Sequence, residues 1–360
     1  MITLLILCTL LVAFANGAND ISKGIATLFG SGVSNYRTAV LWGTAWTVAG
    51  VLTAAFVTQA LVATFSGKGL LQAPSTSPAF LLAVSLGAIG WLLIATRSGM
   101  PVSTTHSLVG ALVGAGLVEA GRSGILWPAV FKKVAYPLLF SPFVSLILIL
   151  IVLPLLRPFI QRIERYCVCV EQAPVAMAAG GAAMFQQTQL PSVEIAPSRD
   201  CGESVARMSG VDTLHWIAAG ATSFFRGLND APKILALGIA AAASLSIGTG
   251  VFYVMIAAAM AAGSLTFGRR VTETLASKVV RLTPGNGFAA NLVTSILVGL
   301  ASRFALPVST THVSSGAIIG IGVANRGGVR WKMVTEMALA WIVTLPVSAL
   351  IAGIIYKFIG

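Results

Sequence analysis

The chain has 360 residues, of which 56% are hydrophobic and only 9% charged, with a mean hydropathy of +0.90. A soluble domain carries roughly a quarter charged residues, so most of this surface faces something other than water. The formal net charge of +12 reads as Lys and Arg on the cytoplasmic loops of a membrane protein, with no nucleic-acid partner.

Apolar runs near the about 20 residues of a membrane span recur at 39–65, 80–96, 134–156, 235–265 and 334–359. The short alternating segments of a β-barrel are missing, so the expected fold class is an all-α polytopic membrane protein. The opening "MITLLILCTLLVAFAN" lacks a basic n-region and runs straight into the polar "GAND" rather than a small-residue cleavage site. It reads as the start of the first membrane helix. That helix then carries Asn19, Asp20 and Lys23 inside a stretch otherwise long enough for one span.

The run at 80–96 is followed by "RSGMPVSTTH", which contains Arg97, Pro101, Ser103, Thr104, Thr105 and His106. Beyond the run at 134–156 lies the one long polar stretch, 157–212, expected to be a cytoplasmic linker, ordered only in part. Cys167, Cys169 and Cys201 fall in it, and with Cys8 they form neither a disulfide framework nor a zinc pattern.

The second half repeats the first. "GLND" at 227–230 follows "GAND" by 210 residues, and each continues to a lysine, Lys23 or Lys233. "PVSTTH" returns at 307–312 with Arg303 in the place of Arg97; from the proline onward ten of sixteen positions are identical. Two motifs in one order at nearly one offset make a duplicated chain, with a first repeat at 1–156 and a second at 213–360.

Loop charges indicate that the second repeat is inverted. "GRRVTETLASKVVR" carries Arg269, Arg270, Lys278 and Arg281, whereas its counterpart "SGKGLLQAPSTS" carries only Lys68. Arg37 follows the first "GxND" helix, and "SLSIG" after the second carries no charge. Positive residues favour the cytoplasmic side; only Lys132 and Lys133 run against this reading. Inverted repeats are a common architecture of secondary transporters, with the site near the midplane.

Ionisable groups at membrane depth cost at least about 2.5–3.5 kcal/mol each on insertion scales. The Asp–Lys spacing of i, i+3 admits a purely structural pair. It also admits a carboxylate and carboxamide, beside a helix break at Gly-x-Asn, that hold Na⁺ or exchange a proton. The lysines either bear on an anion or stand where a coupling cation would sit. In "PVSTTH" the proline cannot continue a helix from before it and suits a first turn. The hydroxyls can cap free N–H groups, and such a helix start binds oxyanions; the blander reading is a Ser or Thr bonded to its own preceding turn. His106 and His312 serve a proton relay or local support, of which support is preferred. Arg97 and Arg303 draw in the anion or anchor the interface.

Together, "GAND" and "GLND", the two "PVSTTH" copies and "GRRVTETLASKVVRLTPGNGFAANL" resemble the inorganic phosphate transporter (PiT) family over both halves, without the linker. The resemblance implies about ten to twelve membrane elements counting half-helices and re-entrant hairpins. It further implies inverted repeats, a homodimer, and uptake of inorganic phosphate coupled to Na⁺ or H⁺. By motif, Ser103, Thr104, Thr105, Ser309, Thr310 and Thr311 would contact phosphate, and Asn19, Asp20, Asn229 and Asp230 would hold the coupling ions, with Asp20 and Asp230 as Na⁺ ligands. The chain departs from the family pattern at Lys23 and Lys233, where small or amide residues usually follow Asn-Asp, and at Asn291, where Glu is frequent.

The expected protein is therefore a secondary active transporter in a prokaryotic inner membrane, not an enzyme, with no cofactor beyond its coupling ion. No P-loop supports a primary pump. The alternatives are a permease for sulfate or another oxyanion, an uncoupled anion channel or exporter, and, least favoured, a membrane enzyme. For that last class the duplicated hydroxyls lack a base–carboxylate partner in sequence.

Overall fold

The computed structural model describes residues 1–57, 62, 65, 69–72, 77–171, 192–197, 206–304, 306, 308–326 and 328–360. Lys68, Pro307, Cys201 and half of the linker lie outside the described residues. The first repeat consists of α1 (Ile2–Asp20), α2 (Ser22–Gly30), α3 (Tyr36–Val57), α4 (Pro78–Ser98), α5 (Thr104–Ala120) and α6 (Tyr136–Ile163). The second consists of α7 (Gly210–Ser244), α8 (Thr249–Phe267), α9 (Pro284–Arg303), α10 (Thr310–Ala324) and α11 (Trp331–Ile359).

Seven helical stretches among the described residues are long and apolar enough to cross a membrane. α6 presents Leu139, Phe143, Ile147, Ile151 and Leu155 to the outside at a spacing of four, and α11 presents Leu339, Ile342, Leu350 and Ile354. Continuous exposed apolar stripes of this length are incompatible with water and suit lipid. The protein is an all-α, multi-pass membrane protein. In the linker β1 (Tyr166–Glu171) pairs antiparallel with both β2 (Ser192–Pro197) and β3 (Ala206–Ser209), in the order β2-β1-β3.

Helix ends follow local chemistry. Ser209 and Asp212 form a capping box at the start of α7, with Ser209 Oγ accepting from Asp212 N at 3.1 Å and Asp212 Oδ2 accepting from Ser209 N at 2.8 Å. α4 stops at Gly99, whose φ of 76° only glycine adopts without strain.

The repeats exchange partners. α8 packs on α1 while α3 packs on α7, and α11 packs on α5 while α6 packs on α10. The matching helices α1–α2 and α7 run in opposite directions. Thr9 lies by Gly238, Asn16 bonds Arg226, and Thr27 bonds His215, so numbers rise on one helix as they fall on the other.

The spacings Gly110-x-x-x-Gly114 on α5 and Gly316-x-x-x-Gly320 on α10 allow close helix approach. A Cβ added at Gly114 would lie 2.0 Å from Ala349 O on α11, and one at Gly316 would lie 2.2 Å from Pro142 O on α6. Backbone cannot give way as a side chain can. Gly114→Leu and Gly316→Leu are each expected to cost at least about 2–3 kcal/mol, read as a lower unfolding temperature in detergent. An unchanged transition would refute these contacts.

Candidate functional site

All five charged side chains buried among the described residues belong to one cluster: Asp20, Lys23, Arg226, Asp230 and Lys233, none more than 2% exposed. Three cations thus face two carboxylates, an excess of one positive charge at membrane depth. In each repeat the lysine reaches back one turn. Lys23 Nζ donates to Asp20 Oδ1 at 2.7 Å, to Asn19 Oδ1 at 2.8 Å and to Asn19 O at 2.9 Å. Lys233 Nζ donates to Asp230 Oδ1 at 3.0 Å, to Thr105 Oγ1 at 2.9 Å, to Val308 O at 3.2 Å, and to Asn229 Oδ1.

Asn16 joins the halves at the centre of the cluster. Its amide nitrogen lies 2.9 Å from Asp20 Oδ2, 3.2 Å from Asp230 Oδ2 and 3.0 Å from Thr104 Oγ1. Its oxygen accepts from Arg226 Nη1 at 3.2 Å, and Arg226 Nη2 donates to Thr47 Oγ1 at 2.6 Å. Asn16 and Arg226 each precede the glycine of a "GxND" motif, so repeat-related residues touch each other.

The two "PVSTTH" segments meet tip to tip. Thr105 Oγ1 donates to Val308 O at 3.4 Å, and the repeat-related Thr311 Oγ1 donates to Val102 O at 2.7 Å. The His106 and His312 rings lie 4.5 Å apart. Ser103 and Ser309 are the N-caps of α5 and α10, each accepting from the histidine amide three residues on at 3.2 Å. An α-helix leaves its first amides without an intrahelical acceptor, so the amides of Thr104, Thr105, Thr310 and Thr311 stand at two facing helix starts.

α5 begins at Thr104, behind the Ser103 cap. Pro101 therefore lies before the helix rather than in its first turn, with its carbonyl accepting from Trp341 Nε1 at 2.9 Å. The helix break expected beside each Asn-Asp exists at Ile21, between α1 and α2, but α7 runs unbroken through Asn229, Asp230 and Pro232. A helix interrupted in only one repeat frees fewer carbonyls than two breaks would.

Of the residues singled out in sequence, Asn19, Asp20, Lys23, Ser103, Thr104, Thr105, His106, Asn229, Asp230, Lys233, Ser309, Thr310, Thr311 and His312 are all buried. Arg97 and Arg303 are not brought to them: both are exposed, in the last turns of α4 and α9. Asn291 bonds Thr27 Oγ1 at 2.7 Å and Gly24 O at 3.1 Å, tying α9 to α2.

Asn16, Thr96 and Ser302, and the bridging role of Arg226, escaped the sequence reading. Asn19 Nδ2 donates to Thr96 Oγ1 at 3.1 Å and Asn229 Nδ2 to Ser302 Oγ at 3.0 Å, the same bond in each repeat. The available signal was polarity at matching positions of the two copies, inside stretches otherwise apolar.

The chain matches the phosphate transporter family over residues 16–352. It is 31% identical to a protein of Rhizobium meliloti (strain 1021) named "Probable low-affinity inorganic phosphate transporter", over 98% of this chain and 94% of that one. It is 29% identical to "Inorganic phosphate transporter 2-1, chloroplastic" of Arabidopsis thaliana, over 97% of this chain and 70% of that one. A solved structure described as "The sodium-dependent phosphate transporter" shares the fold with a TM-score of 0.78 at 20% identity, covering 99% of this chain and 98% of that chain. These relatives are named as transporters rather than enzymes, in keeping with a site that sets hydroxyls and amides against buried charge. From residue 16 to residue 352, through both halves of the buried site, the chain belongs to the phosphate transporter family.

Proposed function

We propose that the protein is a secondary active transporter that imports inorganic phosphate across a prokaryotic inner membrane by alternating access, coupled to Na⁺ or H⁺. The observation that carries this reading is the meeting of the two "PVSTTH" helix starts inside a cluster with one excess positive charge. Hydroxyls and open amides bind an oxyanion without a formal charge of their own, so they can release it. Ser103, Thr104, Thr105, Ser309, Thr310 and Thr311 contact the phosphate in this reading. Asn19, Asp20, Asn229 and Asp230 form the coupling positions, and His106 and His312 support the helix starts.

Burial of the whole cluster is what an occluded state of alternating access requires. The opposite directions of α1–α2 and α7 support inverted repeats, and the names of the relatives support phosphate as the substrate. A homodimer belongs to the same reading, with α6 and α11 offering exposed apolar faces.

Labelled-phosphate uptake into proteoliposomes under imposed Na⁺ or pH gradients tests it. Accumulation above equilibrium under one gradient is expected, with sulfate a poor competitor. Uptake that never exceeds equilibrium would sink the symporter and favour an uncoupled channel or exporter. Sulfate that displaces phosphate at equal concentration would indicate a general oxyanion permease.

Ser103→Ala and Ser309→Ala are each expected to weaken phosphate binding about tenfold, the effect of one lost hydrogen bond to a charged group. Lost capping costs about 1 kcal/mol of stability besides, and thermal unfolding reads it separately. A stability loss with unchanged affinity would leave the serines as caps alone.

A further inference from the structure

The two buried lysines do more than neutralise their neighbours. Each ammonium nitrogen sits in a cage of oxygen atoms of the kind a bare monovalent cation takes. Around Lys23 the cage is a carboxylate, a carboxamide and a backbone carbonyl, at 2.7, 2.8 and 2.9 Å. Around Lys233 it is the Asp230 carboxylate, the Asn229 carboxamide, the Thr105 hydroxyl and the Val308 carbonyl. Carboxylate, carbonyl and hydroxyl oxygens are hard ligands, suited to Na⁺ as much as to N–H donors.

An ammonium is a compact single charge with three donors. Here it is tethered three residues along the chain from the carboxylate, so its local concentration at the cage exceeds that of any free ion. Both lysines are only 1% exposed.

Two independent observations oppose Na⁺ at these places. The first is occupancy: the Asn19, Asp20, Asn229 and Asp230 oxygens that would ligate it already accept from the lysines. The second is charge: the cluster holds Lys23, Lys233 and Arg226 against Asp20 and Asp230, so a further cation meets net repulsion where water screens little.

We propose that Lys23 and Lys233 are built-in counter-ions that fill the two carboxylate cation positions, so that the anion is carried with no Na⁺ bound at Asp20 or Asp230. The inference deepens the transport reading, removing Na⁺ at these two carboxylates from its coupling options. The ion-binding part stands on the cage geometry whichever anion is carried. It sets this chain apart from the structural neighbour described as sodium-dependent.

The test uses the full-length protein in two assays. Equilibrium binding of ²²Na⁺ to the purified protein in detergent needs no assumption about the substrate. Labelled-phosphate uptake in proteoliposomes, with Na⁺ replaced by choline at fixed pH, gives the transport readout. Wild type is expected to show no saturable Na⁺ binding and less than about a twofold change in uptake. The double variant Lys23→Ala with Lys233→Ala opens the cages and should gain saturable Na⁺ binding, with uptake at least about tenfold faster in Na⁺ than in choline. Lys23→Met with Lys233→Met fills the same space without charge and should bind no Na⁺.

Saturable Na⁺ binding by wild type overturns the inference, whether or not the variants fold. So does a folded double-alanine variant that binds no Na⁺. Absence of phosphate uptake in either medium counts against the phosphate reading alone, because the binding assay still decides the lysines.

Discussion

Asp20→Asn is expected to destabilise the protein by about 3–5 kcal/mol, the usual effect of removing one partner of a buried ion pair. The carboxylate touches Lys23 through one oxygen at 2.7 Å; the other accepts from Asn16 Nδ2 at 2.9 Å and from Thr104 Oγ1 at 3.3 Å. A carboxamide keeps the shape, yet leaves the Lys23 ammonium without its anion in a place where neither is exposed to water. It also presents an N–H₂ group to donors that expect an oxygen. Both α1 and the tip of α5 lose their shared anchor, so phosphate affinity should fall along with stability.

The remedy tests the cause. Lys23→Met added to Asp20→Asn removes the stranded charge and should recover at least about 2 kcal/mol, a coupling within the range seen for residues in direct contact. Chemical unfolding in detergent measures both. If Asp20→Asn alone costs under about 1 kcal/mol, the value of an exposed pair, the cluster is hydrated and its burial is not what governs it.

How far this architecture could be read in advance depended on duplication. Asp20 and Lys23 alone could have been a self-neutralising pair, and a single "PVSTTH" could have been a few hydroxyls bonded to their own helix. The second copies, Asp230 with Lys233 and the hexapeptide at 307–312, made both into site candidates; the buried cluster holds both Asp–Lys pairs, with Val308 and Thr105 against Lys233. The sequence did not show that Asn16 and Arg226 would touch. Repeat spacing marks them as equivalent positions, but only the antiparallel packing of α1 on α7 brings equivalents together.

Arg97 and Arg303 illustrate the opposite failure. Their six-residue distance from each Ser suggested a place beside the anion, yet the left-handed turn at Gly99 ends α4 between Arg97 and the site. Spacing along a chain carries no information about the direction taken after a turn. Similarly, α7 stays helical through Pro232 because tertiary packing holds it, which no local propensity reports. In the linker, "YCVCVE" alternates as a strand should, and the structure buries Cys167 and Cys169 while exposing Val168. That signal was present and masked by the polarity around it.

Arg226→Met is expected to weaken phosphate binding by roughly 30- to 200-fold, equivalent to about 2–3 kcal/mol for a lost charge-assisted partner. Arg226 is fully buried and ties the halves together, its guanidinium reaching from the second half to Asn16 Oδ1 at 3.2 Å and Thr47 Oγ1 at 2.6 Å in the first. The two carboxylates each have a lysine of their own, at 2.7 and 3.0 Å, so in the proposed reading the arginine is the positive charge that a bound phosphate balances. Methionine keeps the apolar stem and removes that charge, leaving two neutral ion pairs and nothing to attract a monoanion. Arg226→Lys keeps the charge and loses the planar fork that holds Asn16 and Thr47 together; it should retain affinity to within about tenfold. Binding of labelled phosphate to the purified variants separates the contributions. An unchanged affinity in Arg226→Met would mean that the excess charge serves packing alone. Equal losses in both variants would show instead that the bridge between α1, α3 and α7 matters more than the charge it carries.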